Sequence, residues 1–558
     1  MPKAEDDLPR TDDRRWPVRA VPGALRERYV AEGWWTDQTL GGFVDRRLRG
    51  APDATLHIWS ETRPGHGSYA EIHTDALRLV NAMAGAGLEP GAVIAFQLPN
   101  WREAVVAFYG LAMGGYVLVP IVHIYGAKEV RFILDQSRAR AYVSADRFGH
   151  VDYLDIVDSA RPDELAHLEL HVVVGSPGSA AAPRVRRVTW DDFAGTPAPA
   201  EAIAPADPDD VCVLAYTSGT TSDPKGVMHS HRTLLAELAH MRSWITPGSP
   251  NLMGSPVTHA TGMLGAVLAP LDAGQDIHLI DRWDPTRVLQ IMLDADVGAG
   301  TGAAVFLASI LDHPGFTPQH ADRIHRVGLG GAPVPVALAE RAAAHAIAII
   351  RAYGSTEQPS VTGCTWDDPV EKRHGTDGRP MTGVEIRLRS ETGEAVAPGE
   401  PGEIWSRGPD LCLGYTDPAL TADAIDRDGW YRSGDMGVID TEGFLTITDR
   451  VKDVIIRGGE NISASEVEEA IGVLAQVAEV AVVAAPDARL GEHVCAVVRL
   501  APAVESIALG DLTDELERIG LARQKWPEEL LIVDDFPRTP SGKVRKVDLR
   551  RQLHAGAK

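Results

Sequence analysis

The sequence predicts an α/β protein: a large N-terminal domain of β/α subdomains carrying a β-rich subdomain, followed by a small α+β C-terminal domain. Three observations lead there. Between Thr39 and Ala352, apolar runs of strand length alternate with stretches of helical spacing, the rhythm of sheets covered by helices. After Pro380 the texture changes to Gly, Pro and alternating β-branched residues as far as Thr448, as in a β-rich unit. The length, 558 residues, exceeds the usual size of one domain.

Residues 1–35 read as a loose arm with Trp16, Trp34 and Trp35 as aromatic anchors. The large domain is expected over 36–451. Within it, Tyr69–Ala86 has helical apolar spacing and ends at glycines. A strand (Ala92–Leu98), a helix (Trp101–Met113), a strand (Tyr116–Ile121), a helix (Val130–Gln136) and a strand (Ala141–Val143) continue the alternation. Ser176–Pro208 is rich in Ala, Pro and Ser and reads as a connector. Beyond it, Val211–Ala215 is a strand, and Thr233–Ile245 and Met263–Leu271 are helices. Asp276–Ile280 (strand), Pro285–Ala295 (helix), Gly298–Thr301 (strand) and Ala304–Leu311 (helix) follow. Val327–Leu329 (strand), Val336–His345 (helix) and Ile347–Ala352 (strand) complete the series, and the β-rich subdomain spans about 380–448. The small domain, 452–558, is expected to contain helices Ser465–Leu474 and Asp511–Ile519 and strands Glu479–Ala485, Cys495–Leu500 and Leu530–Val533.

A hydrophobic fraction of 44% is that of a globular chain. The formal net charge of -24 opposes nucleic acid or an anionic membrane as the main partner. Local cations and backbone N–H groups can still hold an anionic ligand. Cys212, Cys364, Cys412 and Cys495 have no metal-binding or disulfide spacing, so buried free thiols in a reducing cytoplasm are expected. The N-terminus is highly charged and has no apolar signal core. Ala104–Val122 carries no charge, but Gly110, Gly114, Gly115 and Pro120 break it into a helix and a strand, so no membrane span is expected.

The chain centres on Tyr216–His231, YTSGTTSDPKGVMHSH. Hydroxyls, glycines and Lys225 behind a buried strand offer a polyphosphate N–H donors, O–H donors and a cation. It is not a Walker A loop, since Lys225 lies between Pro224 and Gly226. Further segments sit at or near element ends: Gly330–Pro333, Tyr353–Glu357, Trp430–Asp435, Asp449–Asp453, Arg457–Ile462 and Pro540–Lys543. Taken singly, each has an ordinary reading as a turn, a helix cap or a solvated charge.

In this order and combination, the segments resemble the AMP-forming acyl-CoA synthetases of the acyl-adenylate-forming superfamily, over roughly Val211 to Lys546. Gly458-Gly459-Glu460-Asn461 resembles the version in coumarate-type and alicyclic- or fatty-acid-type ligases. The resemblance implies ATP-dependent activation of a carboxylic acid to an acyl-adenylate, release of pyrophosphate, and transfer to coenzyme A. It implies that Thr217, Ser218, Gly219, Thr220, Thr221 and Lys225 hold the β- and γ-phosphates. Thr356 would contact the α-phosphate and Glu357 would help hold Mg²⁺. Gly331, Ala332 and Pro333 would form the adenine wall with Tyr353 stacked on the base. Arg351, Ala352 and Gly354 count among the nucleotide contacts, and Asp435, with Arg450 beside it, would accept the ribose hydroxyls. Lys543 would bridge carboxylate and α-phosphate. The small domain is then mobile about a hinge at Lys452, and Gly458, Gly459 and Glu460 form the coenzyme A tunnel. One departure is Ser222, which stands where the family usually has glycine and is expected to alter loop mobility more than chemistry.

His259, in Pro256–Gly262, resembles the histidine segment at the acyl-pocket wall; the alternative is a satisfied structural histidine. Thr261, Gly262, Thr301, Gly302 and Gly330 complete the expected pocket. Its small residues leave room for a bulky, cyclic or medium-chain acid. No lysine or arginine obviously waits for a second substrate charge, which favours an apolar acid. Two other readings stay open, an adenylating enzyme that loads a carrier protein and a nucleotide-binding protein without catalysis. No carrier domain is expected beyond Lys558, and the intact Lys225, Glu357, Asp435 and Lys543 argue for catalysis. A homodimer also stays open.

Overall fold

The computed structural model describes residues 15–556, apart from 162–163, 179–184, 196–202, 218–223, 247, 333, 391, 451–452, 458–459, 488–489, 503, 519–520, 522 and 540–542. The expected α/β architecture is present. A seven-stranded sheet runs in the order Lys225–Ser230, Val211–Thr217, Val117–Pro120, Val93–Gln97, Ala141–Ala145, Leu170–Val174, Arg186–Thr189. It is parallel except for the first pair. Val93–Gln97, Ala141–Ala145 and Leu170–Val174 are buried at every position, because helices cover both faces of a parallel sheet and leave no solvent side to alternate with.

The uncharged Ala104–Val122 stretch resolves as a helix, Arg102–Met113, followed by a strand, Val117–Pro120. Every residue from Ala104 to Met113 is buried. Among the described residues, no helix is long and apolar enough to cross a membrane. Helix Tyr69–Gly85 packs on Arg102–Met113 and starts at a capping box made by Ser68 and Glu71.

A five-stranded sheet joins Gly298–Ala299, Asn251–Met253, Ile277–Ile280, Thr55–Trp59 and Gly65–Ser68. A four-stranded sheet contains the parallel pair Arg326–Gly330 and Ala348–Tyr353. The β-rich unit is an antiparallel sheet of Glu385–Arg389, Gly402–Arg407, Tyr431–Ile439 and Leu445–Arg450. Toward the C-terminus, Val477–Asp487 and Gly491–Leu500 pair antiparallel, and Glu529–Ile532 adds a parallel strand. This part has cores of its own, around Val467, Val482 and Val498 on one side and Val483, Cys495 and Phe536 on the other.

Three expectations are corrected. The arm is not loose over its described part. Gly23–Ala31 is a helix, Trp16 and Trp35 are buried, and Trp35 Nε1 donates to the Pro409 carbonyl at 2.8 Å. The Ser176–Pro208 connector contains the strand Arg186–Thr189 and the helix Trp190–Ala194, and that strand is the seventh of the large sheet. The Met263–Leu271 helix starts as a π-helix, Gly262–Leu268, and becomes α only at Ala269–Ala273. Such wide turns are uncommon and occur mostly at functional sites.

Several buried histidines predict how stability depends on pH. Burial holds His123, His231 and His278 down to about 4 and His171 down to about 3. Unfolded, each titrates near 6.5. Between those values the unfolded chain binds protons that the native chain excludes, so stability is lost as pH falls from about 6.5 toward 4. Calorimetry at pH 7.5, 6.5, 5.5 and 4.5 is expected to show a falling Tm across that window. A flat Tm would contradict the burial of these rings as neutral groups.

Candidate active site

The Val211–Thr217 strand and its return strand, Lys225–Ser230, pair antiparallel with Thr217 opposite Lys225. Both ends of the hydroxyl-rich loop are therefore pinned side by side. Ser218, Gly219, Thr220, Thr221 and Ser222 lie outside the described residues. A second segment pairs with the return strand: Val227 bridges Tyr415, and Thr416 N–H donates to the Gly226 carbonyl at 2.8 Å. The Lys225 ammonium lies 5.6 Å from the centroid of the Tyr415 ring, within cation–π range.

The Ala348–Tyr353 strand delivers Gly354–Glu357 in a tight turn closed by Ser355 N–H to the Gln358 carbonyl at 2.9 Å. Three contacts hold it. His229 Nε2 faces the Thr356 carbonyl at 2.7 Å, Cys412 N–H donates to the Glu357 carbonyl at 2.8 Å, and Tyr415 O–H donates to Glu357 Oε1 at 2.7 Å. Because Nε2 faces a carbonyl, it carries the hydrogen. Burial pushes the His229 imidazole below its ordinary value. Glu357 Oε2 has no hydrogen bond among the described residues, although Glu357 is only 8% exposed.

Tyr353 O–H donates to Asp435 Oδ2 at 2.8 Å. Burial and the Asp435 carboxylate push the phenol well up, so it stays a donor. Asp435 also lies directly across its ladder from Arg450, as the sequence implied, though the Arg450 side chain is outside the described residues. Gly331 is exposed at φ +75, with open space where a side chain would be. Ala332 lies beside it, partly exposed, and Pro333 is outside the described residues. The Arg351 guanidinium is buried and committed to Asp377 Oδ1, at 2.8 and 3.1 Å, and to the His374 carbonyl at 2.8 Å, so its side chain braces the sheet. Ala352 is a strand residue paired with Gly330 and Gly363.

Gly302 N–H donates to Gly328 and Gly330 N–H to Gly302, joining the Thr301–Gly302 and Gly330 segments into one wall. His259 stands at the turn before Gly262–Leu268, and its Nδ1 accepts from Thr261 N–H at 3.3 Å. Burial holds His259 at about 4, and the nearby Lys543 ammonium adds to the depression. Lys543 sits on a hairpin in which Arg538 bridges Val544 and Lys543 N–H donates to Thr539 Oγ1 at 3.1 Å. Lys452, Gly458 and Gly459 lie outside the described residues, as does the side chain of Glu460 on the Glu460–Ile462 strand.

Sequence reasoning missed His229 and Tyr415. His229 lay inside the central stretch, and its place on a buried strand was the available signal. Tyr415 had none, because its partner Glu357 is 58 positions away.

Among the described residues, these contacts bring together Lys225, Tyr415 and Glu357 at the end of the central strand pair, and Tyr353 with Asp435 beside the same turn. The model of the AMP-binding enzyme family matches residues 44–416, and that of the AMP-binding enzyme C-terminal domain matches 466–543. The chain is 32% identical to the medium-chain fatty-acid–CoA ligase of Escherichia coli (strain K12), covering 95% of this chain and 93% of that protein. It is 35% identical to the 3-[(3aS,4S,7aS)-7a-methyl-1,5-dioxo-octahydro-1H-inden-4-yl]propanoyl:CoA ligase of Rhodococcus jostii (strain RHA1), over 87% and 93% of the two chains. The crystal structure of ATP-bound MatB from Rhodopseudomonas palustris superposes with a TM-score of 0.80 at 26% identity, over 93% of this chain and all (100%) of that one. The chain belongs to the AMP-binding enzyme family. It is a ligase of the AMP-forming acyl-CoA synthetase class, which uses ATP and coenzyme A.

Proposed function

We propose that the protein activates an apolar carboxylic acid, cyclic or of medium chain length, as its acyl-adenylate and passes the acyl group to coenzyme A. The observation that carries this reading is Tyr415, whose hydroxyl holds Glu357 and whose ring lies 5.6 Å from the Lys225 ammonium, with the Tyr353–Asp435 pair on the strand that leads into the same turn. In the first step, two anions must meet. The Lys225 and Lys543 ammonium groups and the loop donors offset that repulsion and the charge building on phosphorus. Thr356 contacts the α-phosphate in this reading, which the pinning of its turn by His229 and Cys412 supports. Asp435 accepts from the ribose, and Tyr353 packs against the base.

Mg²⁺ fits Glu357. The carboxylate is anchored through Oε1 and presents Oε2, a hard oxygen donor. Bound there, Mg²⁺ would supply charge neutralisation for the phosphates.

The small C-terminal domain rotates about Lys452 between half-reactions in this reading, bringing Gly458, Gly459 and Glu460 to the site. Ser463 Oγ, at the start of helix Ala464–Gly472, donates to the Thr448 carbonyl at 3.1 Å. The relatives named as fatty-acid and alicyclic propanoate ligases support an apolar acid. Four buried free thiols support a reducing, cytoplasmic setting.

The test is pyrophosphate release, with and without coenzyme A, over a panel of aliphatic, alicyclic and aromatic acids. Acid-dependent release with a coenzyme A thioester as product is expected. No acid-dependent release would leave a nucleotide-binding protein, and release without thioester would favour carrier loading.

A further inference from the structure

Helix His231–Met241 carries Glu237 and His240 three positions apart, hence on one face. Asp410 reaches the same point from the segment after the Gly402–Arg407 strand. Their exposures are 2%, 6% and 0%. One donor atom from each lies within 4.8 Å of the others. Among the described residues, Glu237 Oε2, His240 Nδ1 and Asp410 Oδ2 have no hydrogen-bond partner. A buried polar atom that nothing meets is costly, because it has given up water for no partner.

The other atom of each side chain is occupied. Ser360 Oγ donates to Glu237 Oε1 at 2.6 Å, and Gln358 Nε2 donates to Asp410 Oδ1 at 3.0 Å. Gln358 is itself oriented by Ser406 Oγ, which donates to its Oε1 at 2.7 Å. His240 Nε2 faces the Thr382 carbonyl at 2.8 Å and so carries the hydrogen. Against the burial that lowers it, the two carboxylates push the imidazole up to about 9 when no ion lies between them; with an ion bound the ring is neutral and Nδ1 is its free donor. An imidazole fixed by a backbone carbonyl, next to carboxylates that are themselves hydrogen-bonded, is how proteins orient metal ligands.

The spacing agrees. His240 Nδ1 and Glu237 Oε2 are 3.7 Å apart, too far for a hydrogen bond. An ion-paired imidazolium would sit at about 2.8 Å. Two donors on one tetrahedral ion, with bonds of about 2.0–2.1 Å, stand about 3.3 Å apart.

We propose that Glu237, His240 and Asp410 bind a divalent transition-metal ion, Zn²⁺ by donor set, inside the large N-terminal part of the protein. One imidazole and two carboxylates suit that class better than Mg²⁺ or Ca²⁺, which take oxygen donors. Two buried negative charges and a neutral ring are balanced by one dication. The site is structural. Gln358 and Ser360 hold its carboxylates and directly follow the Thr356–Glu357 turn, so the ion braces that turn from behind.

The test is elemental analysis of tag-free protein, before and after dialysis against Zn²⁺ and removal of excess. About one zinc per chain is expected, with a higher Tm than chelator-treated protein. Asp410→Asn and Glu237→Gln are each expected to lower the zinc content at least tenfold. Wild-type protein that takes up no zinc, and whose Tm responds to neither Zn²⁺ nor chelator, overturns the proposal. This holds even if the variants fail to fold. Neither readout involves turnover, so it stands or falls separately from the ligase reading.

Discussion

Lys543→Ala is expected to slow acid-dependent pyrophosphate release by about 10²–10³-fold, the usual cost of removing one preorganised charge donor. Thioester formation from a supplied acyl-adenylate should stay within a few-fold of wild type. The expectation comes from where the residue sits. Its charge adds to the depression of the His259 imidazole, which burial mainly causes. Its backbone is fixed independently by Thr539, whose N–H donates to the Lys543 carbonyl at 2.7 Å. Truncation therefore removes the charge and leaves the hairpin. The first half-reaction brings carboxylate against phosphate and needs that charge. The second starts from a mixed anhydride in which the repulsion is already gone. Equal loss in both assays would mean that the lysine serves the fold, or both steps alike, and would overturn the division of roles.

Much of the molecule was legible because the relevant signals are local. Helix Tyr69–Gly85 follows from its apolar spacing and from Ser68 and Glu71 at its start, and Arg102–Met113 from glycines that stop it. The glycine- and hydroxyl-rich segments fall at strand ends, where backbone groups are exposed to a ligand. Features that depend on distant partners were not legible. Lys225–Ser230 reads in the sequence as part of the hydroxyl- and glycine-rich loop, yet it is a strand in which His229 and Ser230 are buried. His229 is inside because the Thr356 carbonyl, 127 positions away, needs a donor. Arg351, two positions before Tyr353, looked like part of the cleft, but Asp377 claims its guanidinium. The Glu237–His240–Asp410 cluster has the same origin. On the helix it reads as two ordinary polar residues, and only the tertiary fold supplies Asp410.

Gly354→Ala is expected to lower kcat/KM by about 10²-fold, the cost of an approximately 1 Å misplacement of reacting groups. A Cβ built on Gly354 would lie 1.9 Å from the Pro359 carbonyl oxygen and 2.8 Å from that of Gln358. Both atoms are backbone and cannot rotate away, so the turn itself must open. The turn is pinned on every side: Ser355 to Gln358, Val361 N–H to the Tyr353 carbonyl at 2.9 Å, Thr356 to His229, and Glu357 to Cys412 and Tyr415. Displacement therefore moves the α-phosphate contact, the Glu357 carboxylate and the Tyr353–Asp435 pair together. Overpacking of this kind costs about 1–3 kcal/mol of stability. Gly331→Ala is the matched control. Its φ of +75 strains an alanine, but no atom lies within 4 Å, so the cost is strain without collision. Steady-state kinetics and thermal unfolding of both variants separate the effects. Gly354→Ala with a lowered Tm and wild-type kcat/KM would show that the turn's geometry does not set the reaction. A rate loss that exceeds that of Gly331→Ala is the expected result.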